Sequence, residues 1–142
     1  MKKIFYSLTI TIFLLLGCEN TTEFNNPFDY SVEQRMDCFC PQAGEWIKLY
    51  VQADTIAKAI KMSNNSELNY TQRKPYKSIK ELWDLISQID TSTYELKVEI
   101  DSANNYPSYI FCSPNKIQQG DTVMIIQDAN FSYTTRNYTR LN

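Results

Sequence analysis

Tyr94-Glu95-Leu96-Lys97-Val98-Glu99-Ile100-Asp101 alternates apolar and charged residues without a break. Side chains on a strand point to opposite faces in turn, so this stretch reads as a strand with one face buried and one wet. Such one-sided burial is characteristic of antiparallel sheets. Asn104-Asn105 follows, residues that tolerate the positive φ of a tight turn. A second strand is then expected from Tyr106 to Cys112, with Pro107 near its start, where a missing N–H is tolerated.

On the N-terminal side of this hairpin stands the one clear helix. Ser78 and Glu81 have the spacing of a capping box, in which each side chain satisfies a backbone N–H left free at the helix start. Ile79, Leu82, Trp83, Ile86 and Ile89 repeat at helical spacing, which places Trp83 in the apolar stripe as a core residue. Earlier still, Phe28 to Cys40 alternates as a strand, with Phe28, Tyr30, Val32, Met36, Cys38 and Cys40 on one face. Asp29, Ser31, Glu33, Arg35 and Asp37 take the wet one. Pro41 to Gly44 reads as a turn. Trp46 to Ala53 buries Ile47, Leu49 and Val51, and Thr55 to Met62 closes a hairpin with a stripe of Ile56, Ile60 and Met62. Asn64 to Tyr76 is polar and reads as a loop. After a loop from Pro114 to Gly120, the last strand is expected from Thr122 to about Tyr133, and Thr134 to Asn142 as a frayed tail. The fold class is α+β: one antiparallel sheet of about six strands in the order β-β-β-α-β-β-β, with a single helix packed on it.

The N-terminus reads as an address. Lys2 and Lys3 precede an apolar run from Ile4 to Leu16, shorter than the roughly 20 residues a membrane-spanning helix needs. Length and flanks suit a secretory signal peptide. The run ends in Leu15-Leu16-Gly17-Cys18, which resembles the lipobox cut by the lipoprotein signal peptidase. Residues 1–17 are therefore expected to be removed and Cys18 lipidated, residues 18–27 to serve as a tether, and 28–142 to form one domain. Two or more acyl chains make such an anchor stable, so the expected partner is a membrane, held through Cys18. A periplasm-facing outer-membrane location in the cell envelope is expected.

Composition narrows the chemistry. The chain has no histidine and 3 glycines, which removes the usual general base, the Ser–His and Cys–His pairs and the phosphate-cradling loop. Without its leader, about 125 residues carry a net charge of about −4, with no basic run that would suit nucleic acid. No cofactor, metal ligand set or catalytic residue is assigned, and the chain is not expected to be an enzyme. Glu95, Glu99, Asp101, Asp121 and Asp128 could in principle form a hydrolytic pair, but solvated strand faces explain them more simply. Ten tyrosines are many for one domain. Tyr50, Tyr70, Tyr106, Tyr109, Tyr133 and Tyr138 cannot all be core, and tyrosine suits binding surfaces.

Cys38, Cys40 and Cys112 are the disulfide candidates, since export permits oxidation. A Cys38–Cys40 bridge closes a very small loop, stabilises by under ~2 kcal/mol, and stretches extended geometry near the ~6.8 Å Cα limit. A bridge from either to Cys112 closes about 75 residues and stabilises by ~4 kcal/mol. Free thiols, or a redox or metal role, are the alternatives.

Several segments together resemble a known family. They are Cys38-Phe39-Cys40-Pro41, the helix opening Ser78-Ile79-Lys80-Glu81-Leu82-Trp83, the strand end Ile100-Asp101 leading to Asn105-Tyr106-Pro107, and a last strand reaching Phe131. The series resembles an uncharacterised family of bacterial secreted and lipid-anchored proteins, a domain of unknown function. Its members show a Cys-Phe-Cys-Pro segment, an Ile-Asp-Glu-Leu-Phe helix and a Gly-Tyr-Pro turn. Here Asn105 replaces the glycine, Trp83 the phenylalanine, and Cys112 is an addition. The resemblance implies an envelope location and favours the Cys38–Cys40 pairing, but implies no activity. The reading is therefore a non-catalytic envelope lipoprotein that binds an envelope protein or glycan. The rivals are a thiol-redox or metal-binding protein using Cys38 and Cys40, and a purely structural module.

Overall fold

The computed structural model describes residues 26–38, 41, 43–114 and 130–141. Six strands form one open antiparallel sheet: β1 (Tyr30–Asp37), β2 (Trp46–Gln52), β3 (Thr55–Lys61), β4 (Tyr94–Asp101), β5 (Tyr106–Pro114) and β6 (Phe131–Arg140). Their spatial order is β3-β2-β1-β6-β5-β4. The sheet is thus two three-stranded meanders joined where β1 pairs with β6. Two helices connect the meanders, α1 (Tyr70–Arg73) and α2 (Ile79–Gln88). The α+β antiparallel architecture matches the sequence reading, with a short α1 added inside the segment expected to be loop. Asn69 and Gln72 cap α1 in the same reciprocal manner that Ser78 and Glu81 cap α2.

The helices cover one face, where Ile47, Leu49, Ala59, Leu82 and Ile110 are fully buried and Met36, Tyr76 and Tyr133 complete the core. The opposite face is covered by its own long side chains. The Arg136 guanidinium lies 3.7 Å over the Trp46 ring, Lys48 reaches over Tyr50 and Lys97 over Phe111, so apolar stems shield rings while charges stay wet.

Four expectations need correction. The first concerns β6, which begins at Phe131, near the end of the strand expected from Thr122 to about Tyr133, runs on from Thr134 to Arg140 through residues expected to be a frayed tail, and sits at the sheet centre; residues 115–129 lie outside the described residues. Threonines suit a pleated, half-buried surface, and Glu33 of β1 accepts from Arg136 Nε at 2.8 Å and Asn137 Nδ2 at 2.9 Å. For the same reason Ser31 and Glu33, expected on a wet face, are buried: β1 is central, flanked on both sides. The second is β1 itself, which ends at Asp37, leaving Cys38 just beyond it. The third is β3. Its register with β2 shifts between Tyr50 and Val51, leaving Ala57 as an extra residue, so Ile56 and Ala59 rather than Ile56 and Ile60 face the helices. The fourth is Trp83, which is 37% exposed rather than core.

Candidate functional site

At one end of the sheet, two tight turns, the start of β1, the end of β6 and the first turns of α2 surround an open groove of about 340 Å³. Trp83 and Ile79 of α2 line it together with Tyr30 and Tyr138, and Asp54, Lys80 and Asn104 supply the polar groups. Each part is fixed locally. Ala53 and Asp54 both take positive φ, 46° and 61°, in the two-residue turn between β2 and β3, the backbone twist that matches the flanking strands. Asn104 sits in the β4–β5 turn, where the Asp101 carboxylate accepts from the N–H groups of Ala103 and Asn104. The Tyr30 hydroxyl accepts from the Ile79 N–H at 3.0 Å, so one groove tyrosine satisfies an orphan donor at the start of α2.

The rings run on from the groove into the sheet. Tyr30 and Tyr138 have centroids 5.4 Å apart, and Tyr138 and Tyr106 are stacked at 5.9 Å. Burial, more than its neighbours, pushes the Tyr30 hydroxyl up to about 12, so it stays protonated at any physiological pH. The Lys80 ammonium is 2.6 Å from Asp84, and that hydrogen bond raises its pKa.

The tyrosines divide. Tyr106 and Tyr133 are core, and the Tyr133 hydroxyl donates to the Pro75 carbonyl at 2.9 Å. Tyr50, Tyr109 and Tyr138 are half-buried, and Tyr70 is exposed. Trp83, Tyr30, Asp54, Lys80 and Asn104 were not singled out as a site from sequence. Trp83 carried a signal: Ile79, Leu82, Ile86 and Ile89 are spaced 3, 4 and 3 apart and complete a stripe without it.

Among the described residues, Glu95 pairs with Lys97 at 3.0 Å and the Asp101 carboxylate serves its turn. Asp121 and Asp128 lie outside the described residues, as do Cys18 and Cys40. Cys112 is a free, buried thiol in β5 whose pKa burial raises. Cys38 packs against the core edge and borders a shallow depression with Asp37, Phe111, Asn130, Phe131 and Ser132. Among the described residues, no group of three His, Cys, Asp or Glu could hold a metal ion, and no helix is long and apolar enough to cross a membrane.

The model of a family of unknown function (DUF6174) matches residues 21–138. Neither a curated protein nor a solved structure matches the chain significantly.

Proposed function

Because the chain belongs to this family of unknown function, which assigns no activity, we propose its role from the molecule itself: a lipid-anchored envelope protein whose domain is a non-catalytic binding module. In this reading the chain is cut before Cys18, lipidated there and held on the periplasmic side of the outer membrane. The groove beside Trp83 takes up another envelope component.

The observation that carries the binding role is Trp83. Burying a tryptophan is strongly stabilising, yet Trp83 keeps 37% of its surface exposed, in a groove it lines with two tyrosines and three polar side chains. Exposed aromatic clusters rimmed by polar groups mark interaction sites. A photo-cross-linking residue at Asn104, on the groove rim, is expected to capture envelope material in cells, while one at Glu95, at the other end of β4, captures none. Identical adducts from both positions, or none from Asn104, would remove the binding role.

The anchor and the cysteines have one test. In this reading Cys38 and Cys40 form the disulfide that the family resemblance favours, and Cys112, a buried thiol in β5, stays free. Mass analysis of the mature chain is expected to find a diacylglyceryl group and an amide-linked acyl chain on Cys18. It should also find Cys112 alone alkylated after unfolding, and Cys38 and Cys40 alkylated only after reduction. Rapid alkylation of Cys38 and Cys40 near neutral pH in the folded protein, with no reductant added, would favour the thiol-redox alternative instead.

A further inference from the structure

We propose that the groove binds a neutral saccharide chain, an inference that rests on the binding role above and names its ligand class. Three features of the site converge on it.

The first is the walls. A pyranose ring has a face of C–H bonds with slight positive charge, and aromatic faces carry the complementary negative quadrupole. Trp83 is 37% exposed, and Tyr30 and Tyr138, with centroids 5.4 Å apart, line the same groove.

The second is the polar set. A sugar hydroxyl both donates and accepts, so it needs donors and acceptors side by side. Asp54 only accepts, Lys80 only donates, and the Asn104 amide does both. An anionic ligand would want donors alone, and a cation acceptors alone. Lys80 is already compensated by Asp84 at 2.6 Å, so the groove lacks the free cationic groups an anion would require, and the Asp54 carboxylate shares it with the donors of Lys80 and Asn104 rather than with further acceptors alone.

The third is size and rigidity. About 340 Å³ lies at the low end of small-ligand sites, enough for one or two sugar units of a chain that continues past the open ends. The parts are fixed beforehand, Tyr30 by the Ile79 N–H, Asp54 by its positive-φ turn and Asn104 by Asp101. Little ordering entropy is then spent on binding.

The test uses the mature lipidated chain in phosphatidylglycerol nanodiscs, titrated with N-acetylglucosamine tetramer and with maltotetraose while the indole N–H resonances are followed. At least one is expected to shift the Trp83 resonance saturably and leave that of Trp46, on the opposite sheet face, unmoved. Trp83→Ala should weaken binding roughly tenfold, and Trp83→Phe less. Trp83 is 37% exposed, so retention of the variant fold is checked by an unchanged far-ultraviolet circular dichroism spectrum and a single cooperative melt, and Asn104→Ala provides a second variant with the same expectation. Absence of any Trp83 shift up to about 10 mM sugar, or saturable displacement by tetramethylammonium instead, would overturn the saccharide assignment. If the cross-linker at Asn104 still captures material, the binding role survives that result; if it also captures nothing, both fall.

Discussion

Leu82→Ala is expected to lower the unfolding free energy by about 2–5 kcal/mol, the range for deleting a fully buried leucine. Leu82 is the residue of α2 with no exposed surface, and it inserts among Ile47, Leu49, Ile110 and the other core residues. Its flanking neighbours Ile79, Leu85 and Ile86 are each only partly buried, so no second anchor on the helix compensates. A 10-residue helix is marginal by itself in water, and its stability comes from docking. Urea unfolding should show a lower midpoint with an unchanged slope, since the same surface is exposed on unfolding. Trp83→Ala is the contrast: one position further along the same helix, it should cost clearly less than Leu82→Ala, because Trp83 is 37% exposed and lines the groove rather than inserting into the core. Equal losses for the two variants would mean that Trp83 is core in solution, and the groove would then have no outer wall.

That contrast shows what the sequence carried and what it did not. The strands of the two meanders were legible because their periods are local. Ile47, Leu49 and Val51 alternate with Trp46, Lys48 and Tyr50, and Ser78 and Glu81 announce the helix start through a contact three residues long. The pairing of β1 with β6 was not, because it depends on a contact about a hundred residues apart, Glu33 with Arg136, that no window contains. With β6 misplaced, Thr134 to Arg140 looked like a tail, and Tyr138 could not be seen opposite Tyr30. The groove therefore escaped notice for a topological reason. Its residues come from β1, the β2–β3 turn, α2, the β4–β5 turn and β6, and they meet only once the two meanders are joined. Trp83 was misread for a different reason: helical periodicity of 3.6 admits both Leu82 and Trp83 to a broad stripe, and only the short helix on a narrow sheet decides which one is covered.

The segment that links the two helices is held by a residue that local pattern also passed over. Gln34 lies in β1 with no exposed surface. Its Nε2 donates to the Lys77 carbonyl at 3.1 Å, and its Oε1 accepts from the Lys77 N–H at 2.9 Å. The side-chain amide thus treats Lys77 as a strand partner would, 43 residues away, and sets the residue just before the Ser78 cap. Gln34→Met keeps the length and bulk of the side chain but strands both backbone groups of Lys77. At about 1–3 kcal/mol for each buried group left unsatisfied, the expected loss is roughly 3 kcal/mol. Hydrogen exchange should localise it, with faster exchange at Ile79, Glu81 and Leu82 as the start of α2 loosens. Gln34→Glu separates the hydrogen bonds from the packing. At neutral pH the introduced carboxylate can accept from the Lys77 N–H but meets the Lys77 carbonyl with no donor, and burial raises its pKa above the unfolded value of about 4.3. A group whose folded pKa is raised contributes its stability below the unfolded pKa and loses it as pH rises through the folded one. This variant should therefore be least stable near neutrality and approach the parent on acidification, as the protonated carboxyl regains a donor for the carbonyl. A constant deficit across pH 4–7 would mean that shape alone, not the paired hydrogen bonds, fixes the linker, and the placement of Ile79 against Tyr30 would then have to come from α2 itself.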